Sequence, residues 1–144
     1  MNKKKIMIAM VILIVLCIAI SLILYNKYEK DKKNREQQRY NEIRESVKTA
    51  VEWNINAMYP YCEISDGFKK DLSGTHYNSS FLINNGYLKK EELLDVDKKS
   101  YCDIYVDIKN EFQNQQDYQR NCKIYYKIYL KCNNFEDKGY INWE

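Results

Sequence analysis

Glycine and proline are scarce in this sequence, and both are absent from its first 59 residues. One proline (Pro60) and four glycines occur among 144 residues, so no strong helix breaker lies between Ile6 and Tyr59. The chain has a single histidine, His76, and no glycine-rich phosphate-binding motif. These absences exclude a cluster of histidine metal ligands and a nucleotide-binding loop of the usual pattern.

An excess of charge of one sign is also lacking. The 23 basic and 20 acidic residues are mixed along the chain and leave a net charge of +3. A nucleic-acid-binding protein normally concentrates positive charge on one surface. The sequence therefore does not predict nucleic acid as a partner.

The longest uncharged stretch is Ile6–Leu24, with the sequence IMIAMVILIVLCIAISLIL. Together with Tyr25 it would form a helix about 30 Å long, which matches the hydrocarbon core of a bilayer. Residues 1–5 are basic, as in a secretory signal, but the run is longer than a signal core and no small-residue cleavage site follows it. We therefore expect an uncleaved transmembrane helix over residues 6–25, with the lipid bilayer as its partner.

Residues 26–59 are predicted to continue as a helical stalk. The segment Asn26–Arg39 is almost wholly polar, and a break near Asn26–Lys27 is the alternative to one continuous helix. After Arg39, apolar residues recur at spacings of 3 and 4, which places them on one helix face. This stripe is expected to pack on the distal domain, with packing on another helix as the alternative. Its members are Tyr40, Ile43, Val47, Val51, Ile55 and Met58.

Residues 60–144 are predicted to form a small α+β head. A short helix is expected over Tyr77–Asn85, with Phe81 and Leu82 facing inward and Gly86 as its left-handed stop. One further helical turn is expected over Lys89–Leu94. The predicted fold is therefore α+β, a long N-terminal transmembrane helix and amphipathic stalk packed on a small antiparallel sheet with disulfides.

The clearest strand signals are the segments Cys102–Ile108 and Cys122–Cys132, which both alternate apolar and polar residues with a period of two. An antiparallel hairpin with Asp103 opposite Lys131 brings opposite charges and aromatic residues together across the strands. The loop between them, Lys109–Asn121, is polar and is a candidate binding loop. The same register pairs Asp107 with Lys127, Tyr105 with Tyr129, Ile104 with Leu130 and Val106 with Ile128. An edge strand is also expected near Tyr140–Trp143.

Four of the five cysteines, Cys62, Cys102, Cys122 and Cys132, lie in the head, whereas Cys17 lies in the apolar run. An even number in a small domain beyond a membrane segment predicts two disulfides and an oxidising compartment. Cys122 and Cys132 would be about 33 Å apart on one strand and cannot bond. The hairpin register favours Cys102–Cys132 with Cys62–Cys122. Zinc is the alternative, but it lacks a close CxxC pair, so no metal or cofactor is expected.

The orientation of the anchor is indicated by two opposing signals. More basic residues follow the apolar run than precede it, which favours a cytoplasmic head by the positive-inside rule. Paired cysteines require the outside, and long domains can cross a membrane regardless of flanking charge. We expect a cell-membrane protein with an extracytoplasmic C-terminal domain. The basic residues in question are Lys3, Lys4 and Lys5 before the run, and Lys27, Lys30, Lys32, Lys33, Arg35 and Arg39 after it.

The order of basic N-terminus, apolar helix, amphipathic continuation and hairpin resembles a type IV pilin or pseudopilin, of the variety found in Firmicutes. The segment FLINNGYLKKEELLDVD resembles the family's leucine-rich helix end, Gly-Tyr-Leu motif and Asp-rich turn. The segments SYC, YLKC and KGY add to this resemblance. The positions that carry it are Leu82, Gly86, Tyr87, Leu88, Asp95, Asp97, Ser100–Cys102, Tyr129–Cys132 and Lys138–Tyr140.

The start of the chain departs from the family pattern. The sequence KKKIMIAMV has neither the leader glycine nor the glutamate that normally accompany processing by a prepilin peptidase. The resemblance therefore implies a pilin-like protein that stays in the bilayer. Its implied role is structural or accessory in a surface or secretion-type assembly, with other membrane or pilin-like proteins as partners through helix packing.

No set of residues in the sequence predicts catalysis. The lone His76 forms no convincing pair with a cysteine, and the acidic residues Glu91, Glu92, Asp95 and Asp97 fit a solvated helix and turn. A membrane-tethered binding module is the alternative to a structural protein. Its ligand would contact the loop Lys109–Asn121 and a tyrosine-rich sheet face, on which Tyr105, Tyr125 and Tyr129 form the possible interaction surface.

Overall fold

The computed structural model describes residues 3–58, 74–112 and 122–141. Helix α1 covers Lys3–Met58, and it is followed by strand β1 over Thr75–Asn78 and helix α2 over Ser79–Asn84. A 3₁₀ helix over Lys90–Leu93 precedes strand β2, Asp103–Phe112, and strand β3, Cys122–Lys131. The chain forms two units, Met1–Gln38 and Arg39–Glu144. The fold is thus α+β, with a long N-terminal helix and a small antiparallel sheet.

The first unit consists of the apolar and polar parts of α1. The side chains of Ile6–Leu24 are exposed along the whole run, and the hydroxyl of Ser21 donates to the carbonyl of Cys17 at 2.8 Å. Among the described residues, one helix, α1, is long enough and apolar enough to cross a membrane, judged by length and composition alone. A secretory signal sequence or a core helix meets the same criteria.

The second unit includes the C-terminal part of α1 from Arg39 onward, which the sequence analysis predicted to belong to a separate stalk over residues 26–59. The predicted apolar stripe from Tyr40 to Ile55 is buried and belongs to the same core as the sheet residues. The packing of the stripe on the distal domain is therefore confirmed for Tyr40 to Ile55. The side chain of Met58, the last predicted member, is not among those that the structure describes. In addition to Tyr40, the buried stripe contains Ile43, Val47, Val51 and Ile55.

Strand β2 is the centre of a three-stranded antiparallel sheet with the order β1-β2-β3. The predicted hairpin register is confirmed, since Asp103 pairs with Lys131 and Asp107 with Lys127. Alternate residues of β2 face the core, and all four predicted apolar positions are buried. These are Cys102, just before the strand, and Ile104, Val106 and Ile108.

Strand β1 was not predicted, and it takes the first residues of the expected helix Tyr77–Asn85. Pairing with β2 holds Thr75–Asn78 extended, and the Asn78 side chain then caps α2 by accepting from the backbone N–H of Phe81 at 2.8 Å. Leu82 is fully buried as predicted, but Phe81 is 41% exposed. The shorter helix turns Phe81 outward, which corrects its predicted inward position.

The end of α2 follows the prediction closely. Gly86 has a φ of +74°, and the N–H of Tyr87 donates to the carbonyl of Leu82 at 2.9 Å. A left-handed glycine followed by a bond back to the last helical turn is the Schellman arrangement. The expected turn over Lys89–Leu94 is present as the 3₁₀ helix.

Cys102 and Cys132 form the predicted disulfide, with an S–S distance of 2.04 Å. The second predicted bridge, Cys62–Cys122, lies outside the described residues and side chains, and so does most of the loop Lys109–Asn121. The edge strand expected near Tyr140–Trp143 is absent up to residue 141. The tail pairs with the sheet earlier, through a single bridge between Lys131 and Glu136.

Candidate interaction surface

The sheet face that points away from the core carries the tyrosines predicted to form an interaction surface. Tyr105 is only 4% exposed, because His76 on the unpredicted strand β1 stacks on it at 5.2 Å between ring centroids. Its hydroxyl lies 2.7 Å from His76 Nδ1, and Tyr129 flanks it on the other side at 5.9 Å. Tyr105 therefore does not offer the exposed surface that the sequence predicted.

Burial has an electrostatic consequence at Tyr105. Loss of solvent raises the pKa of its phenol, and the neighbouring Asp107 carboxylate and Tyr129 raise it further. The hydroxyl is thus held in its neutral form. It can take part in a hydrogen bond with His76, but a neutral phenol is a poor nucleophile.

The other two tyrosines differ in accessibility. Tyr125 is 48% exposed, whereas Tyr129 is half-buried. A Cβ built on Gly139 would lie 3.0 Å from the Tyr129 ring, which shows how closely the tail crosses it. Of the three predicted surface tyrosines, only Tyr125 presents an open ring.

Asp103, on the same face, has two structural partners. Asp103 accepts hydrogen bonds from the hydroxyls of Ser79 and Tyr140. Burial raises the pKa of Tyr140, and the bond to Asp103 raises it further. These contacts fasten the tail and the start of α2 to β2.

A small cavity of about 150 Å³ opens beside β1. Its lining combines aromatic and polar side chains, and the Nδ1 of His76 lies 3.6 Å from the Asp107 carboxylate. The described part of the chain places no serine or cysteine in this lining, so the cavity lacks an activated nucleophile. The lining residues are His76, Tyr77, Asn78, Phe81 and Tyr105.

One group of possible metal ligands exists among the described residues, formed by Asp95, Cys102 and Cys132 within 4.8 Å of one another. Both sulfurs are bonded to each other, so neither is the thiolate that a metal requires. The buried Asp95 carboxylate accepts instead from the backbone N–H groups of Val96, at 2.6 Å, and Asn133, at 3.0 Å. The group joins the segments around the disulfide and does not fit a metal centre.

A larger groove, of about 590 Å³, lies between α1 and β3, and we call it the edge groove. Its helix side carries alternating charges from Arg44, Glu45, Lys48 and Glu52. Its strand side consists of Ile124, Tyr125, Tyr126 and Ile128.

The edge groove is closed at one end by the tail. Arg44 donates to both carboxylate oxygens of Asp137 at 2.8 Å, and Asp137 also accepts from the backbone N–H of Leu130 at 2.8 Å. Burial raises the pKa of Tyr126 to about 12, and the charge of Glu52 contributes. Sequence reasoning missed this groove. The period-two pattern of β3 predicted its strand side, but its helix side is formed by charged residues and not by the apolar stripe.

The comparisons with known proteins add no class or name. No family model, curated protein or solved structure matches this chain. The resemblance to type IV pilins therefore receives no support from them.

Proposed function

We propose that this chain is a non-enzymatic, single-pass membrane protein whose disulfide-bonded domain lies outside the cytoplasm and acts through protein contacts. The observation that carries the proposal is the pairing of an exposed apolar helix segment with a disulfide in the following domain. The segment Ile6–Leu24 has the length of a bilayer core. Disulfides persist in oxidising compartments and are rare in the cytosol.

The proposed orientation rests on Cys102–Cys132 rather than on flanking charge. The basic residues after Tyr25 favour the opposite orientation by the positive-inside rule. A disulfide inside a reducing cytosol would be the rarer exception, because thiol reductants act there continuously. An extracytoplasmic domain accommodates the bond, and long domains translocate regardless of flanking charge.

The role we propose is structural or accessory, in a surface or secretion-type assembly of the pilin-like kind. The support is the layout of a basic start, an apolar helix and a small α+β domain. The apolar stripe from Tyr40 to Ile55 is occupied within its own domain. Helix association with other membrane proteins would therefore use the exposed segment Ile6–Leu24.

The second candidate is a membrane-tethered binding module, and the edge groove favours it. A groove with a partly apolar floor and a charged rim, at the open side of a sheet, is a usual place for a protein ligand. In this candidate the helix Ile6–Leu24 only holds the domain at the membrane.

Thiol mapping on intact cells tests the location. In a chain with Cys17, Cys62 and Cys122 all replaced by alanine, a membrane-impermeant thiol reagent should label the half-buried Cys132 only after reduction, and from outside the cell. Labelling without reduction, or only after the cells are opened, would refute an extracytoplasmic disulfide domain. The wild-type chain treated in the same way is the control for the three replaced cysteines.

Replacement of the anchor separates the two candidates. Exchanging Ile6–Leu24 for an unrelated transmembrane helix should abolish co-purification with membrane partners if the chain is a structural subunit. A tethered binding module should keep its partner after the same exchange. Membrane fractionation controls for insertion of the new helix.

A further inference from the structure

We propose that the edge of β3 opposite β2, which no described strand covers, binds an extended peptide of alternating acidic and apolar side chains, which adds to the sheet as a fourth strand. This inference deepens the proposed role in protein contacts, on which it rests, by naming the class of partner. It does not depend on which side of the membrane the domain occupies.

The backbone of β3 has one side without a neighbouring strand among the described segments, beyond the single bridge to Glu136. At Leu130 both backbone groups point to that side, since the N–H donates to the Asp137 carboxylate at 2.8 Å and the carbonyl accepts from the Asp137 N–H at 2.9 Å. Backbone direction alternates along an antiparallel strand. Ile128, Tyr126 and Ile124 therefore turn their N–H and carbonyl groups to the same open edge.

Strand β2 shows which side chains suit a neighbour of β3. It places Asp103 and Asp107 opposite Lys131 and Lys127 on the outer face. On the inner face it places Ile108, Val106 and Ile104 opposite Tyr126, Ile128 and Leu130. A strand on the second side of β3 would meet the same two rows. Acidic residues would face the lysines, and apolar residues would lie over the partly exposed floor of the edge groove.

The protein's own tail already occupies the first position of this edge with acidic residues. Glu136 pairs with Lys131, and its carboxylate lies 3.6 Å from the lysine Nζ. Asp137 points inward and forms the two-bonded contact with Arg44. At Gly139 the tail crosses over the ring of Tyr129 on the other face of the sheet, so this acidic contact does not extend along the edge from Ile128 onward.

The edge groove provides the space that such a strand needs. An added strand would lie about 4.7–4.9 Å from β3, with its inward side chains between β3 and the charged helix residues Arg44, Lys48 and Glu52. A second copy of β3 fits this edge poorly. Two such strands would bring two lysine-containing faces together with no acidic residue to pair with them, and edge lysines are a common protection against this pairing.

Peptide binding to the full-length chain in detergent micelles tests the proposal. The probe is a fluorescent peptide, Asp-Ile-Tyr-Val repeated twice, and its matched control has lysine in place of each aspartate. We expect saturable binding of the acidic probe, weakened by salt, and no binding of the lysine peptide. Equal binding of the two peptides, or no binding of the acidic probe up to about 1 mM, would overturn the proposal.

Two variants assign the binding to the edge. Lys127→Gln should weaken it by about 1.5- to 5-fold, the value of one cross-strand charge pair. Lys109→Gln removes the same charge from β2, away from the edge, and should leave binding unchanged. Ile128→Pro removes the backbone N–H that points to the open edge, and should abolish peptide binding. The hydrogen bonds between β3 and β2 are kept, because the N–H of Ile128 does not take part in them. Unchanged binding in both Lys127→Gln and Ile128→Pro would refute the edge as the site.

The chain's oligomeric state completes the test. A dimer in detergent that Ile128→Pro converts to a monomer would show that a second copy occupies the edge, and would refute the acidic partner. The peptide assay tests only the edge of β3, whereas thiol mapping tests the location of the domain. A negative result in one assay therefore leaves the result of the other unaffected.

Discussion

Removal of the disulfide between Cys102 and Cys132 should lower the stability of the second unit by about 3–4 kcal/mol. The bond joins residues 30 positions apart in the sequence. For a closed loop of that length, the lost entropy of the unfolded chain corresponds to about 3.7 kcal/mol at 25 °C. For a domain with a typical stability of roughly 5–15 kcal/mol, this is a large fraction.

The contacts around the bond indicate that the effect comes mainly from the unfolded chain. The N–H of Cys102 donates to the carbonyl of Leu93 at 2.8 Å, and the N–H of Cys132 donates to that of Phe135 at 2.7 Å. Both are backbone bonds, which alanine retains. The double variant Cys102→Ala/Cys132→Ala should therefore fold to the same sheet, with the same register, and differ chiefly in its unfolding free energy.

Urea unfolding of the full chain in detergent, followed by near-ultraviolet circular dichroism of the tyrosines, measures this difference. The double variant should also unfold at a temperature lower by roughly 10–25 °C. Cys17→Ala is the matched control, since Cys17 is a free, exposed thiol outside the second unit. A loss below about 1 kcal/mol in the double variant, or an equal loss in the control, would refute the reasoning.

Three further predictions follow from single positions. Ile43 is fully buried, so Ile43→Ala should cost about 2–5 kcal/mol and Ile43→Val about 0.5–1.5 kcal/mol in the same urea assay, and equal costs would contradict a packed core there. Gly86 has a φ of +74° with nothing within 4 Å of an added Cβ, so Gly86→Ala should cost about 1 kcal/mol through backbone strain alone, and Gly86→Asn should cost less. The pKa of Tyr126 is raised from 10.0 to about 12, so its neutral form stabilises the fold fully below pH 10, and this contribution is lost as the pH rises through 12. Tyr105 and Tyr140 also have raised pKa values, so tyrosinate absorbance should show several late-titrating tyrosines. Tyr126→Phe should reduce their number by one, and an unchanged late phase would refute the burial of Tyr126.

The hairpin was predictable because its information is local and repeated. Each strand alternates apolar and polar residues over many positions, and a shift by one residue would turn every side chain to the wrong face. The charges at Asp103, Asp107, Lys127 and Lys131 then select one register among the even shifts. The pairing of Cys102 with Cys132 follows from that register, and the structure contains both.

Strand β1 was not predictable from the same kind of signal. Thr75–Asn78 is only four residues long, and it has too few positions for a period to be visible. Its extended conformation comes from pairing with β2, some thirty residues away in the sequence, and such tertiary context overrides local preference. The burial of Tyr105 could not be foreseen for the same reason, since His76 covers it from β1.

The position of the apolar stripe decides which experiments on α1 are informative. The stripe from Tyr40 to Ile55 is buried against the sheet of its own domain, so a charge at Val47 or Val51 would unfold that domain rather than disrupt an assembly. Loss of assembly in such a variant would not distinguish a structural subunit from a binding module. Within the described parts of the chain, the exposed segment Ile6–Leu24 and the edge of β3 are two surfaces that can be altered while the core is kept. A change of anchor tests the first surface and Ile128→Pro tests the second, so the two variants together separate association within the membrane from recognition by the sheet.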